Sequence, residues 1–212
     1  METLIIGASQ GIGLATVKEA LARGHTVRAF ARSADQIPVK NERLQKIRGD
    51  ALNKNDVERA VRGVDSVIQC LGVPLDFKLL TGPITLFSEA TKVLIPVMQN
   101  ANVRRIISVT GFGAGDSEAA IGLIQKLPFN LLFGHAYTDK SIQEKIVKES
   151  GLDWTIARPG VLTNGAKSKT YKVLFESGDW RNGVISRASV ADFLINAIET
   201  ESLVRKEPVL VG

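Results

Sequence analysis

The chain has 212 residues, of which 44% are hydrophobic and 23% charged, and a formal net charge of +5. This length and composition are typical of one globular domain, and the single cysteine, Cys70, excludes an intramolecular disulfide. No apolar run approaches the ~18 residues of a membrane span and the basic residues are scattered, so we expect neither a membrane nor a nucleic-acid partner.

The first predicted elements are a strand, a glycine-rich turn and a helix. The apolar run Leu4-Ile5-Ile6 is followed by GASQGIG at 7–13 and then by a helical pattern. In this arrangement Gly7 makes a tight turn, Gly11 allows the backbone to approach a pyrophosphate, and Gly13 allows close helix–strand packing. The free N–H groups at the helix N-terminus favour phosphate. We therefore predict dinucleotide binding by Gly7, Ser9, Gln10, Gly11, Ile12 and Gly13, although the glycine spacing differs from the usual one.

Further apolar segments alternate with helical patterns along the whole chain. The predicted strands are Thr3–Ile6, Thr26–Ala31, Leu44–Arg48, Ser66–Cys70, Arg105–Val109, Trp154–Arg158 and Val209–Val211. The predicted helices are Gly11–Arg23, Asn53–Val61, Thr85–Asn100, Ala136–Ser150 and Ser189–Thr200. Such alternation predicts an α/β fold of the Rossmann type, a doubly wound parallel sheet in a single domain covering 1–212. Asn53 or Asn55 is expected to cap the second helix, and Ser189 the last.

Ligands of such sheets bind beyond the carboxyl ends of the strands, so the residues after each strand are site candidates. Arg32 and Ser33 follow the second strand, where NAD sites usually carry an acidic residue for the ribose 2′-hydroxyl. A guanidinium suits the 2′-phosphate of NADP, so we predict NADP(H) in preference to NAD(H). The alternative is that Arg32 is only a surface arginine.

Weaker signals follow the third and fourth strands. Asp50 is expected either to cap the next helix or to accept a hydrogen bond from the adenine amino group, with Ala51 behind it. Leu71 and Gly72 are expected to lie along a cofactor ribose, or simply to form a turn. Both pairs are therefore candidate cofactor contacts.

The segment 111–134 is longer than a strand-to-helix connection requires. It contains three glycines up to Gly115 and apolar patches at 119–124 and 129–133. Three interpretations stay open: an extra surface helix packed on the domain, a lid or pocket wall over the nicotinamide end, or a partner or membrane surface.

These motifs resemble the atypical short-chain dehydrogenases/reductases, in the branch of small NAD(P)H-binding proteins that are NmrA-like or similar to biliverdin reductase B. The resemblance runs nearly end to end and depends on GASQGIG at 7–13, Arg32, Gly49-Asp50, Ser108-Val109-Thr110, Asp139-Lys140 and SGLDWTIARPG at 150–160. It implies that Pro159, Gly160 and Val161 line the nicotinamide pocket. It also implies that Ser108 or Thr110 takes the place of the family's serine, and Ser108 is predicted as a further cofactor contact.

The chain departs from the typical Tyr-x-x-x-Lys pair of that family. The residue four before Lys140 is Ala136, whereas Tyr137 is three before it and still shares a helix face with it. We predict Thr110, Tyr137 and Lys140 as catalytic residues, with Lys140 also binding the nicotinamide ribose, and Phe112 and His135 as substrate-pocket residues. His135 and Asp139 are further candidates for handling a proton. A core, surface or helix-capping role is the alternative for Tyr137, His135 and Asp139.

A displaced tyrosine favours a reaction that depends on hydride placement more than on a positioned acid. The leading hypothesis is a cytoplasmic NADPH-dependent reductase of a small planar or carbonyl compound, such as a flavin, quinone or aldehyde. The alternatives are a non-catalytic NADP(H)-binding redox sensor and, with less support, a sugar epimerase or dehydratase. We expect no metal site and no signal or transit peptide before Met1, and a homodimer through the third and fourth helices is possible.

Overall fold

The structure, a computed structural model, describes residues 1–73, 84–120 and 123–212, with side chains described outside 123–133. Its helices are α1 (Gly11–Ala22), α2 (Lys54–Val61), α3 (Leu86–Asn100), α4 (Leu123–Glu149) and α5 (Arg187–Glu199). Its strands are β1 (Glu2–Ile6), β2 (Thr26–Ala31), β3 (Leu44–Arg48), β4 (Ser66–Gln69), β5 (Arg105–Val109), β6 (Asp153–Pro159), β7 (Val161–Thr163), β8 (Lys172–Leu174), β9 (Val184–Ser186) and β10 (Val209–Val211). Short 3₁₀ turns lie at Ala34–Gln36, Gly115–Ala120, Ser177–Asp179 and Glu201–Leu203.

Eight strands form one sheet in the order β3-β2-β1-β4-β5-β6-β10-β8. All neighbours pair in parallel except the edge strand β8, which runs antiparallel to β10. The order reverses between β1 and β4, which is the switch point of a doubly wound fold. The predicted fold class is therefore confirmed, and β7 and β9 form a separate two-stranded parallel sheet.

Both faces of the main sheet are covered by helices, as the short apolar strands require. Alternate residues of β1 belong to opposite core layers: Ile5 packs with α1 and α5, whereas Leu4 and Ile6 pack with α2 and α3. Helix α4 packs against α3 on the second side. The strand ends at the switch point are thereby held between two apolar layers.

Several element boundaries differ from the predicted ones. Helix α4 begins at Leu123, so the second half of the segment 111–134 extends this helix toward its N-terminus. The side chain of Asn53 caps α2, as predicted, by accepting a hydrogen bond from Asp56 N. The prediction for the last helix is wrong because Ser186 caps it by accepting from the backbone N–H of Ser189.

Candidate cofactor-binding site

A cleft of about 790 Å³ opens at the carboxyl ends of β1, β2, β4 and β5. Its position at the switch point between β1 and β4 is the one that this fold uses for ligands. The cleft brings together most of the predicted site residues, from chain segments far apart in sequence. Those that line it are Gly7, Ser9, Gln10, Gly11, Ile12, Arg32, Ser33, Asp50, Ala51, Leu71, Gly72, Thr110, Tyr137, Lys140, Pro159 and Gly160.

The glycine-rich turn has the geometry that close packing demands. Gly7 has φ +82°, and a Cβ placed on it would lie 2.6 Å from the carbonyl oxygen of Cys70. A Cβ on Gly13 would lie 2.1 Å from the carbonyl oxygen of Gly7, so Gly13 supports the turn from behind and does not line the cleft. The Gln10 side chain does not cap α1. The first backbone N–H groups of α1 therefore face the cleft without a side-chain acceptor. This is a cradle suited to a phosphate group.

At the end of the cleft beside β2, the Arg32 side chain is exposed and makes no hydrogen bond or ion pair with any other described residue. Asp50 does not cap α2, in contrast to one of its two expected roles. Instead, its Oδ1 accepts a hydrogen bond from Leu52 N at 3.0 Å, which closes a local turn at the rim. Arg32 is thus an uncommitted cation at the position expected for an adenosine 2′-phosphate.

The opposite end of the cleft contains Lys140 and Tyr137. Lys140 Nζ donates a hydrogen bond to the carbonyl oxygen of Thr110 and lies 4.8 Å from the ring centroid of Phe87. A Cβ placed on Gly111 would lie 2.7 Å from the hydroxyl oxygen of Tyr137. The Tyr137 hydroxyl therefore lies directly against the backbone of Gly111. Burial raises the pKa of Tyr137 to about 12. The phenol therefore keeps its proton at neutral pH.

Burial also lowers the pKa of Lys140 to about 8, although the nearby Glu144, Cys70 and Asp139 partly offset the effect. The folded protein therefore holds fewer protons here than the unfolded chain between about pH 8 and the ordinary value of 10.5. Across that window, the contribution of Lys140 to the free energy of unfolding rises with pH. Below pH 8 the unfavourable buried charge is fully present.

Replacing Lys140 with methionine removes this charge. The difference between the free energies of unfolding of Lys140→Met and of the wild type should be largest below pH 8. It should shrink by roughly 2–3 kcal/mol between pH 7 and pH 10. Urea unfolding at several pH values between 7 and 10 measures this difference. Lys145→Met is the matched control, because Lys145 lies on the same helix with its side chain 74% exposed. A pH-independent difference for Lys140→Met would contradict the lowered pKa.

A buried ion pair supports the same end of the cleft. Thr110 Oγ1 donates to Glu144 Oε1 at 2.7 Å, and Arg158 donates from Nε at 3.0 Å and from Nη2 at 2.6 Å to the two oxygens of Glu144. Arg158 Nη2 also donates to Glu207 Oε2 at 2.7 Å, and the guanidinium lies 4.8 Å from the ring of Trp180. The Thr110 hydroxyl proton is thus directed to Glu144 and away from the cleft.

Two predicted site residues belong to the interior. Ser108 is fully buried within β5, where its hydroxyl accepts a hydrogen bond from Gln143 Nε2 at 3.0 Å. Phe112 is also buried and packs with Val209 and Val211. Neither lines the cleft, because the Ser108 side chain is enclosed within the sheet and that of Phe112 packs against β10. The predicted cofactor contact of Ser108 and the predicted pocket role of Phe112 are corrected accordingly.

Two other predicted residues, His135 and Val161, are not among those that line the cleft. His135 is exposed on α4, and Val161 in β7 is 55% exposed, whereas Leu162 lines the cleft in its place. Asp139 caps a helix, but the helix is α3 and not its own. Its Oδ2 accepts hydrogen bonds from the backbone N–H groups of Phe87 at 2.8 Å and Ser88 at 3.3 Å.

Sequence reasoning missed several residues that line the cleft. They are Ile6, Phe30, Ala31, Gln36, Gly49, Leu52, Cys70, Val73, Leu86, Val109, Gly111, Leu162, Asn164 and Arg187. Cys70 ends a predicted strand, and Leu52 and Val73 each follow a predicted cofactor contact. Their positions in the sequence could therefore have predicted that they line the cleft. Asn164 and Arg187 come from a part of the chain where no strand was predicted.

The comparisons with known proteins agree with this site. A family model described as NAD(P)H-binding matches residues 7–201. The chain belongs to this NAD(P)H-binding family. Because the match contains the glycine-rich turn and the segments that line the cleft, the site is that of an NAD(P)H-binding protein of the oxidoreductase type.

Solved structures and curated relatives are similar to this chain in fold or sequence. ChuY, an anaerobillin reductase from Escherichia coli O157:H7, is 26% identical, with a TM-score of 0.83 over 100% of this chain and 97% of that one. A short-chain dehydrogenase/reductase from Veillonella parvula in complex with NADP shares the fold, with 19% identity and a TM-score of 0.83 over 100% and 94% of the chains. The chloroplast protein TIC 62 of Arabidopsis thaliana is 26% identical over 90% of this chain, which spans only 32% of TIC 62. The resemblance to atypical short-chain dehydrogenases/reductases is confirmed.

The described residues also bear on a membrane span and on a metal site. None of the helices within 1–73, 84–120 and 123–212 has the length and apolarity needed to cross a membrane. In the same ranges, no three His, Cys, Asp or Glu side chains are grouped so that they could hold a metal ion.

Proposed function

We propose that the protein is an NADPH-dependent reductase that transfers a hydride to a small planar or carbonyl compound. The observation that carries the proposal is the cleft itself, in which an uncommitted Arg32 and the glycine cradle lie at one end and Lys140 and Tyr137 at the other. NADPH, when bound, supplies the hydride. The residues present fit this cofactor, because the first N–H groups of α1 have no side-chain acceptor, a Cβ on Gly11 would have only Arg187 Nε within 4 Å among the described residues, and cations lie at both ends of the cleft.

Each segment of the cleft has a distinct role in this proposal. The N-terminus of α1 and the backbone from Gly7 to Ile12 hold the pyrophosphate, and Arg32 with Ser33 holds the 2′-phosphate. Asp50 and Ala51 contact the adenine, and Leu71 and Gly72 lie beside the ribose on that side. Lys140 donates to the nicotinamide ribose, while Pro159 and Gly160 form the wall behind the nicotinamide.

The groups at the reactive end favour an acceptor that does not need a strongly placed acid. The Thr110 hydroxyl proton is committed to Glu144, and a hydroxyl that donates inward cannot also donate to a substrate. Lys140 and Tyr137 both retain a proton near neutral pH and border the cleft. They can donate hydrogen bonds to an acceptor atom, while protonation from solvent completes the reduction of a conjugated ring.

The similarity to ChuY, an anaerobillin reductase, supports conjugated pigments as one acceptor class. The test is a turnover screen of the purified protein with NADPH and a panel of flavins, quinones, aldehydes and linear tetrapyrroles. We expect NADPH oxidation above background with at least one planar acceptor, and its loss in Lys140→Met but not in Lys145→Met. If no acceptor raises NADPH oxidation although NADPH binds, the reductase proposal is wrong and the redox-sensor hypothesis takes its place.

A further inference from the structure

The two-stranded sheet of β7 and β9 faces the glycine-rich turn across the cleft. Within this small sheet, Val161 N donates a hydrogen bond to Gly183 O at 2.7 Å. Gly212 N, which follows β10, donates to Val184 O at 2.8 Å and so fixes the small sheet to the main one. The contact at Gly160 is too close for any side chain, since a Cβ there would lie 2.2 Å from Gly183 O. The residues that follow these two strands are therefore held in defined positions.

Those residues are Asn164, directly after β7, and Arg187, directly after β9, and both line the cleft. Arg187 Nη1 donates to Asn164 Oδ1 at 2.8 Å. The Arg187 Nε lies 3.9 Å from the Cβ position of Gly11, the first residue of α1. The guanidinium thus extends over the helix N-terminus that the glycine-rich turn presents.

Nothing within the described parts of the chain compensates the charge of Arg187. None of the described carboxylates lies within ion-pair distance of it, and the first turn of α5 contains no acidic residue. Arg187 is itself the first residue of α5, where the helix dipole disfavours a cation. An arginine in this position does not stabilise the local structure. It is therefore a candidate for binding an anionic ligand.

We infer that Arg187, oriented by Asn164, binds the pyrophosphate of the dinucleotide from the side opposite the glycine-rich turn. The inference deepens the proposed function and rests on it. The pyrophosphate is then held between the N-terminus of α1 and a guanidinium, which is a favourable environment for two adjacent negative charges. Arg32 follows β2 at the other end of the cleft, so the two arginines meet different phosphates.

This division of roles has a clear consequence for cofactor affinity. NADPH and NADH share the pyrophosphate, whereas only NADPH has the 2′-phosphate. Arg187→Ala should therefore weaken both cofactors by a similar factor, about 10- to 100-fold for the loss of one charge-assisted contact. Asn164→Ala should cause a smaller loss of the same kind, because the guanidinium remains but is no longer oriented.

The experiment is a calorimetric titration of NADPH and of NADH into the wild type, Arg187→Ala and Asn164→Ala, with thermal unfolding of each. Arg181→Ala is the matched control, since Arg181 is exposed in the same segment and donates only to Asp179 O within the described residues. Arg187→Ala should fold normally, because the helix dipole disfavours a cation at a helix N-terminus and removing one there does not destabilise the helix.

Similar losses for both cofactors, absent in Arg181→Ala, support the inference. Unchanged affinities in Arg187→Ala overturn it while the proposed function stands. A loss confined to NADPH also overturns it, because Arg187 would then contact the 2′-phosphate. Failure of the wild type to bind either cofactor overturns the proposed function itself and, with it, this inference.

Discussion

Replacing Glu144 with alanine should lower the free energy of unfolding by about 3–5 kcal/mol, the cost of leaving a buried charge without its partner. The side chain of Arg158 is fully buried and that of Glu144 is 2% exposed, so solvent cannot take over the lost interactions. Glu207, at 2.7 Å from Arg158, remains as a second partner and sets the lower end of that range. The Thr110 hydroxyl loses its acceptor in the same variant, which adds to the loss.

Urea unfolding monitored by circular dichroism measures this effect. Glu149→Ala is the control, because Glu149 lies on the same helix with its side chain 66% exposed, and it should change stability by under about 0.5 kcal/mol. The double variant Glu144→Leu, Arg158→Met should be less destabilised than the sum of the two single variants, since no charge is left unpaired. Equal effects of Glu144→Ala and Glu149→Ala would show that the buried pair has no special role.

Gly13→Ala should impair both folding and cofactor binding. The added Cβ would lie 2.1 Å from the carbonyl oxygen and 2.8 Å from the carbonyl carbon of Gly7, and backbone atoms cannot rotate away as a side chain would. Helix α1 must then move off β1, which displaces the N–H groups that face the cleft. We expect a destabilisation of about 1–3 kcal/mol, and a loss of NADPH affinity of roughly tenfold or more if the turn shifts.

The control for Gly13→Ala is Gly178→Ala, because a Cβ on Gly178 meets no atom within 4 Å and its φ is not positive. Thermal unfolding and NADPH titration of both variants provide the comparison. Gly178→Ala should match the wild type in both measurements. Normal NADPH affinity in Gly13→Ala would mean that the cradle tolerates displacement of α1, contrary to the geometry described above.

The main sheet was predictable because its strands are short apolar runs and its helices are separated from them by clear turns. Strands such as Thr26–Ala31, Leu44–Arg48 and Arg105–Val109 begin and end where the sequence indicates. The strands β7, β8 and β9 were not predicted, because each has only three residues and is partly exposed. Segments this short do not show the alternation of apolar and polar residues by which a strand is recognised. Two of them, β7 and β9, nonetheless position Asn164 and Arg187.

The site was predictable where a residue directly follows a strand, as Arg32 follows β2 and Thr110 follows β5. It was not predictable where long-range packing decides which way a side chain is directed. Ser108 lies only two residues before Thr110, yet it is paired in register with Gln69 and lies beneath the cleft. Glu144 lies one helical turn after Lys140, so the sequence could have placed it near the cleft. Its pairing with Arg158 was not predictable, because Arg158 comes from another element.

The most direct test of the account is a titration of the wild type and Arg32→Ala with NADPH and NADH. We predict saturable binding of NADPH, with NADH weaker by about tenfold or more. Arg32→Ala should lose that preference, since one charge-assisted contact to the 2′-phosphate is worth roughly 1.5–3 kcal/mol. Arg43→Ala, which changes an exposed arginine outside the cleft, should retain the preference. Equal affinities of the wild type for the two cofactors, or no binding of either, would contradict the account.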